Sequence, residues 1–323
     1  MNVVQFSQTA LHQGGTTVPG FTLAPSQVPG TAFDLSNNGT EHFLASSASE
    51  EAQPGGFTGQ SNMLGVYTLT NTKSIHDAHP ALSLDGALRP SEQYVQGPRS
   101  TQKAGPTPLA NFCSVVDCGF GNGIQGFSEG GLDGNDTRML QVYFAHGMLY
   151  GALDTGVQVG GQFHAGIAWF LVNPGSSPDV SSVANQGYIA VAGQNVMFPA
   201  VAAMSNGRGA MTFTLSGPLY YPTAAYALVG PSGVTGAVNI AARGVGPQDG
   251  FSEYFPGTND PASAPRPRWG DYSAAVPVGS SIWMATEYIG QSCGFAQFQR
   301  DTTCGGTRAT LINWGTRIAS VTP

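Results

Sequence analysis

The sequence predicts an all-β fold, and three observations carry that expectation. Amphipathic helical periodicity is hard to find, because polar or Gly residues interrupt nearly every apolar run within about eight positions, the length of a strand. Gly (45) and Pro (22) make up about a fifth of the 323 residues, as many short strands joined by many turns require. Turn signals also recur between apolar runs, at Asn38-Gly39, Asp85-Gly86, His146-Gly147, Asn206-Gly207 and Val278-Gly279.

Taken in order, residues 1–30 are polar and punctuated by Pro19, Pro25 and Pro29. They read as an irregular N-terminal arm or a closing strand. Thr31 to Ala45 reads as a hairpin around Asn38-Gly39, and Met63 to Leu69 as a strand. Ala81 to Gly86 leads into a turn at Asp85-Gly86. Arg138 to Asp154, Phe198 to Leu215 and Tyr272 to Tyr288 then read as hairpins, with further apolar runs at Gly166 to Val172 and Ala224 to Val229. Ala309 to Ile318 is the last run. Segments 46–62 and 95–137 are long, Gly-rich and poor in strand signal, which suits ligand-binding loops on a rigid scaffold.

Units recurring at about 40–70 residues, each of several antiparallel strands, predict one β-propeller domain over 1–323 with five or six blades. A β-sandwich or a two-domain all-β chain uses the same hairpin signals and is the alternative.

Composition narrows the function. A hydrophobic content of 41% excludes general disorder. The net charge is −7, and Lys73 and Lys103 are the only lysines, which argues against a nucleic-acid partner. No apolar run reaches about 18 residues and no basic amphipathic stretch is present, so membrane insertion is not expected. The opening Met1-Asn-Val-Val-Gln-Phe6 lacks the basic start and apolar core of a signal peptide. A secreted or periplasmic protein would therefore carry its signal outside this sequence. Cys113 pairs by proximity with Cys118, and Cys293 with Cys304. Two local disulfides in an oxidising compartment are the preferred reading; a zinc site is the rival, which the C-x4-C and C-x10-C spacings fit poorly.

The densest polar cluster in a chain only 10% charged is Arg266 to Tyr288. It holds Arg268, Trp269, Asp271, Tyr272 and Glu287. Glycoside hydrolysis uses two carboxyl groups flanking the bond, and Asp271 and Glu287 begin and end neighbouring strands of one hairpin. Tyr272 is a candidate nucleophile if a carboxylate activates it, and Trp269 a candidate sugar platform. Asp154, at the end of an apolar run, and His164, before another, are candidate substrate-binding residues at a channel mouth. Each has a structural alternative: Asp271 as a turn cap or partner of Arg268, Trp269 as a packing anchor, His164 as a hydrogen-bonded core residue.

The motifs Arg268-Trp-Gly-Asp-Tyr-Ser-Ala274, Ile282-Trp-Met-Ala-Thr-Glu-Tyr288 and Asn313-Trp-Gly-Thr-Arg317 resemble those of secreted bacterial β-propeller proteins of the sialidase-like (exo-α-sialidase-like) group. The resemblance runs from about residue 138 to the C-terminus. It implies a propeller, an extracellular setting and, for active members, an Arg triad, a Tyr–Glu pair and an acid/base Asp. The blade motif S-x-D-x-G-x-T-W of sialidases is not found here, and no three of the ten Arg can be assigned to a triad.

Other motifs are weaker. Gly126-Phe-Ser-Glu-Gly130 matches G-x-S-x-G without the strand and helix that a nucleophile elbow needs. His76-Asp-Ala-His79 lacks a third ligand and a helix to present it. Asp133-Gly-Asn-Asp136 gathers oxygen donors as part of a calcium loop does, so a structural Ca²⁺ fits, although no cofactor is required and no catalytic metal is expected. The function that follows is a secreted, carbohydrate-active propeller, glycoside-hydrolase-like at the channel mouth. The alternative is a non-catalytic extracellular module that binds a glycan or a protein.

Overall fold

The structure, a computed structural model, describes residues 22–48, 59–109, 111, 132–249, 269–270 and 272–323, with the backbone of 12–13 and 16–17. Strands β1 (His12–Gln13) and β2 (Thr16–Thr17) pair as a small antiparallel ladder. The other strands of the described residues fall into four meanders. Unit I comprises β3 (Ala24–Gln27), β4 (Thr40–Ser46), β5 (Gln60–Thr70) and β6 (Ser83–Val95). Unit II comprises β7 (Met139–Ala145), β8 (Met148–Val159), β9 (Gln162–Asn173) and β10 (Ser182–Ile189). Unit III comprises β11 (Asn195–Ala203), β12 (Gly209–Gly217), β13 (Tyr220–Gly230) and β14 (Gly233–Ala242). Unit IV comprises β15 (Ala274–Val278), β16 (Ser281–Tyr288) and β17 (Gly315–Val321).

The all-β class is as expected, and the order within each unit is that of a propeller blade, each strand pairing with the next in sequence. The first strands of the units lie side by side. β3 runs parallel to β7, with Ser26 opposite Val142. Gln141 of β7 ties three of these strands together. Its Nε2 donates to Gln27 Oε1 of β3 at 3.0 Å and to the Ala275 carbonyl of β15 at 2.8 Å, and its Oε1 accepts from Ala275 N at 3.1 Å. The side-chain amide thus does for β15 what a neighbouring peptide would do, satisfying backbone groups that burial would otherwise strand. The β3–β7 pairing merges units I and II into an eight-stranded sheet that nearly closes. Its edge strands meet where Tyr188 of β10 donates to the Gln93 carbonyl of β6 and Glu92 N donates to Gln186 Oε1.

Two apolar cores fill the spaces between units. Leu44, Leu64, Val66 and Tyr94 of unit I pack against Leu149, Leu153 and Phe170 of unit II. The opposite face of unit II supplies Tyr150, Ile167 and Leu171 to a second core with Phe213 and Leu215 of unit III and Ile282 and Met284 of unit IV. Period-2 alternation is the cause: odd and even residues of β8 and β9 serve different neighbours.

The turns divide by backbone chemistry. His146 and Gly147 both hold positive φ (53° and 72°) between β7 and β8, the two-residue hairpin expected of that pair. Asn206-Gly207 and Gly279 also lie in turns. Asn37 and Asn38 take left-handed φ in a longer loop closed by the Asp34–Thr40 bridge, rather than in a two-residue hairpin. Asp85-Gly86 is not a turn. It lies inside β6, with Gly86 opposite Tyr67. A Cβ on Gly86 would sit 2.4 Å from Tyr67 Cδ1, and one on Gly65 2.8 Å from Cε2. These glycines make room for a buried ring, an alternative use of Gly in strands. The strand runs that bracket this false turn belong to one unit, and the described residues hold four meanders where the sequence suggested five or six.

After β16 the chain forms α1 (Phe295–Arg300), stapled by the Cys293–Cys304 disulfide (S–S 2.05 Å). Cys113 and Cys118 lie outside the described residues. Arg308 and Asp249 form an ion pair of 3.1 Å with both side chains fully buried, and Arg308 also donates to the Asp249 carbonyl at 2.8 Å. Asp249 in turn accepts from Leu109 N. This knot joins three loops from distant parts of the chain.

Candidate functional site

The chemistry-bearing residues gather at the end where the first strands of units II, III and IV begin. Asp136 and Arg138 lie just before β7. Arg138 grips Asp136 in a fork, Nε to Oδ1 at 2.7 Å and Nη2 to Oδ2 at 3.0 Å, a bidentate, charge-assisted geometry. With both oxygens engaged by a guanidinium, Asp136 serves this pair before any cation of the suggested calcium loop. Asp133 Oδ1 accepts from Asn135 N at 3.1 Å.

Asp154 of β8 faces unit III. Burial pushes its carboxyl well above the ordinary carboxylate range, and the nearby charge of Asp136 pushes the same way, while a hydrogen bond from Phe198 N opposes them. That bond is 2.7 Å long. Phe198 sits in an irregularity of β11 between Met197 and Ala200, at φ 58°. A bulky residue at positive φ is strained and persists only where its surroundings fix it. Asp154 is the group that fixes it.

Phe198 packs with Leu132, Met197, Trp269 and Ile289. Trp269 is only 1% exposed, and its Nε1 donates to Thr214 Oγ1 at 3.1 Å. It therefore cannot serve as the sugar platform expected from sequence; it anchors unit IV to unit III. Thr214 Oγ1 in turn donates to the Glu287 backbone carbonyl at 3.4 Å. The backbone of Gly270, at φ 40°, lies against the Glu287 carboxylate, where a Cβ would come within 3.0 Å of Oε2.

Glu287 is half-buried and Tyr272 is 77% exposed. Ala274 pairs with Ala285 at the end of the β15–β16 ladder. Tyr272 precedes β15 by two residues and Glu287 follows Ala285 by two, so both lie at the same end of unit IV. Asp271, between Gly270 and Tyr272 in sequence, lies outside the described residues, as does Arg268. Asp154 and His164, expected to share a mouth, are separated. His164 pairs with Val157, three residues beyond Asp154, and alternation puts it on the opposite face of unit II. Its Nε2 is buried without a hydrogen-bond partner.

The sequence reading missed Asp136 with Arg138 as a pair. The i, i+2 spacing before a strand was a legible signal, overshadowed by the calcium-loop pattern. It also missed a buried dyad at the other end of unit I. His42 Nε2 lies 2.9 Å from Asp34 Oδ2, and His42 Nδ1 lies 3.5 Å from Thr68 Oγ1. Burial pushes the His42 pKa down against the pull of Asp34. With His42 and Thr68 almost wholly buried, this dyad braces the fold. Among the described residues no three His, Cys, Asp or Glu are grouped to hold a metal, and His76 and His79 are exposed. Gly126 to Gly130 lies outside the described residues.

Fold and site together describe an all-β chain of blade-like meanders with a carboxyl cluster at one end. No family model matches the chain, and no curated protein matches it. Among solved structures it is similar to an exo-1,5-alpha-L-arabinanase from a bovine ruminal metagenomic library. The identity is 12%, the coverage 88% of this chain and 68% of that one, and the TM-score 0.32. A likeness at that level assigns neither topology nor activity.

Proposed function

We propose that the protein is a carbohydrate-active propeller with glycoside-hydrolase-type chemistry at the end where the first strands begin. One observation carries the reading: two neighbouring carboxyl groups sit in contrasting surroundings, Asp136 forked by Arg138 and Asp154 buried against unit III. Arg138 holds Asp136 in a bidentate charge-assisted pair, while burial and the nearby Asp136 push the Asp154 carboxyl above the ordinary carboxylate range. Environments that push two carboxyl pKa values apart are how one site supplies both an acid and a base at neutral pH. Asp154 keeps a small exposed edge, at 7%, and has the character of the proton donor. Glu287 and Tyr272 are the solvent-facing groups. In this reading Tyr272 acts as nucleophile with a carboxylate to activate it, and Asp271 adjoins it in sequence. The resemblance to sialidase-like proteins makes sialosides one substrate class to test. An extracellular setting goes with the reading and is supported by the Cys293–Cys304 disulfide.

The test is release of reporter from a panel of aryl glycosides, an aryl sialoside included, by the wild type and by Asp154→Asn, Asp271→Asn and Glu287→Gln. We expect turnover by the wild type and a loss of about 100-fold or more in each variant, the scale of general acid–base catalysis, with circular dichroism unchanged. Absence of turnover on the whole panel, or full activity in Asp154→Asn and Glu287→Gln, overturns the assignment.

A further inference from the structure

Unit IV differs from units II and III in leaving one sheet face to solvent. Its register sets Val276 opposite Trp283 and Trp283 opposite Ser320, with Ala285 opposite Ile318. The buried partners on the other face, Ala275, Ile282 and Met284, belong to the core shared with unit III. On the open face Trp283 is 44% and Ile318 62% exposed, and Trp314, just before β17, is 46% exposed. Tyr272 stands at the mouth end of the same sheet.

We propose that this face is a platform for a neutral polysaccharide, leading away from the site described above; the proposal rests on the carbohydrate-active reading and extends it. Three features select this occupant. The exposed rings offer flat π-faces to the apolar C–H faces of sugars. Between them stand hydroxyls: Ser320 beside Trp283, Thr316 opposite Glu287, and Ser281 bonded to Thr322 at 3.0 Å. Protein–protein interface cores are depleted in Ser, whereas alternating rings and hydroxyls match the amphipathic surface of a sugar chain. Among the described residues the charged groups of this sheet are Glu287 at its mouth end and Arg317 on the edge strand, so the face between the rings carries no charge of its own for a charged polymer to pair with. The levels of Trp283 and Glu287 are four residues apart on β16, about 13 Å at the rise of a strand, which suits several linked sugars. A platform of this kind would hold a chain while its end is worked on at the mouth.

The experiment is depletion of the protein from solution by microcrystalline cellulose, insoluble xylan and chitin, comparing the wild type with Trp283→Ala/Trp314→Ala. Aryl glycoside turnover is measured on the same preparations, and mass by light scattering. We expect retention on at least one polymer that survives high salt. The double variant should lose it at least tenfold while its melting temperature and aryl glycoside turnover stay unchanged. Retention by Asp154→Asn as strong as wild type would separate the platform from the chemistry. Retention with no turnover keeps the platform and sinks the hydrolase. Turnover with no retention sinks the platform, as does retention that the double variant keeps. A wild-type dimer that Trp283→Ala dissociates would also overturn the proposal, making the face a self-interface.

Discussion

Units III and IV are neighbours built on the same meander, yet they spend their side chains differently. Every residue of β11 and β12 is buried, whereas β15 and β16 alternate between buried and more exposed positions and β17, the edge strand, has no fully buried residue. In unit III, β11 and β12 are covered on both faces, by units II and IV. The first reads as a near-continuous apolar run, the second alternates Met211-Thr-Phe-Thr-Leu-Ser216 with its hydroxyls buried, and only the outer strand β14 is largely open. Unit IV is covered on one face only and shows the period-2 pattern of a half-buried sheet. The contrast suggests a division of labour in which unit III holds the fold together and unit IV presents groups to solvent.

Matched truncations would break or support that division. Phe213→Ala removes a fully buried ring from the core shared by three units, so a loss of about 3–5 kcal/mol is expected. Trp283→Ala removes a larger but half-exposed side chain and should cost no more than about 1 kcal/mol. Chemical denaturation of the two variants measures both. If Trp283→Ala proves as costly as Phe213→Ala, the open face of unit IV is part of the core and not a presenting surface.

A thinner sheet needs another source of stability, and the polar knot behind unit IV supplies it. Removing one member of a buried ion pair strands the other charge and typically costs about 3–5 kcal/mol. Arg308→Ala should fall in that range, because it takes the buried guanidinium away from the Asp249 carboxylate. The double variant Arg308→Met/Asp249→Leu should lose less than the sum of the two singles, measured as a double-mutant cycle. Next in size is the disulfide. Cys293 and Cys304 close a loop of 11 residues, and on chain-entropy grounds replacing both with Ser should cost about 3 kcal/mol. Thermal unfolding with and without reductant checks it, and the Ser variant should show no further response to reductant.

The same contrast explains what could be read from the sequence. The all-β class was legible because helical periodicity is missing and turn residues recur. The hairpins at His146-Gly147 and Gly279 were legible because two-residue turns demand positive φ, which few residues other than Gly and Asn accept. Asp85-Gly86 carried the same signal for a different reason, since Gly86 yields space to Tyr67 across the strand pair. A local code cannot distinguish a glycine that turns from one that makes room. Trp269 failed as a surface residue for a similar reason. Its motif is rich in charge, which suggests exposure, but its ring is claimed by Phe198 and by Thr214 from strands far away in sequence. That Glu287 and Tyr272 lie at one end of unit IV was legible because the hairpin itself sets that placement. Asp136 and Asp154 come together only once β7 and β8 pair and unit III covers them, so their coupling was not visible in either local stretch.

The smallest expected effect concerns Asp154, and it tests the packing between units II and III from the electrostatic side. Asn has nearly the volume of Asp, and its Oδ1 can accept the Phe198 N–H, so Asp154→Asn should preserve the bond that fixes the strained Phe198. What changes is ionisation. The folded-state pKa of Asp154 is raised above its unfolded value near 3.8. Its favourable contribution is therefore fully present below that value and is lost as pH rises toward the folded pKa. Asn has no proton to lose. Near pH 4 the wild type and Asp154→Asn should melt at similar temperatures, and the variant should become the more stable of the two as pH rises. Asp34 and His42 both have lowered pKa values, so they pull the other way, costing stability as pH falls, and they do so equally in both proteins. The difference between the two melting curves thus isolates Asp154. A variant that is less stable than wild type at every pH would mean that the carboxyl is ionised in the folded state, and Asp154 could not then be the acid of the site.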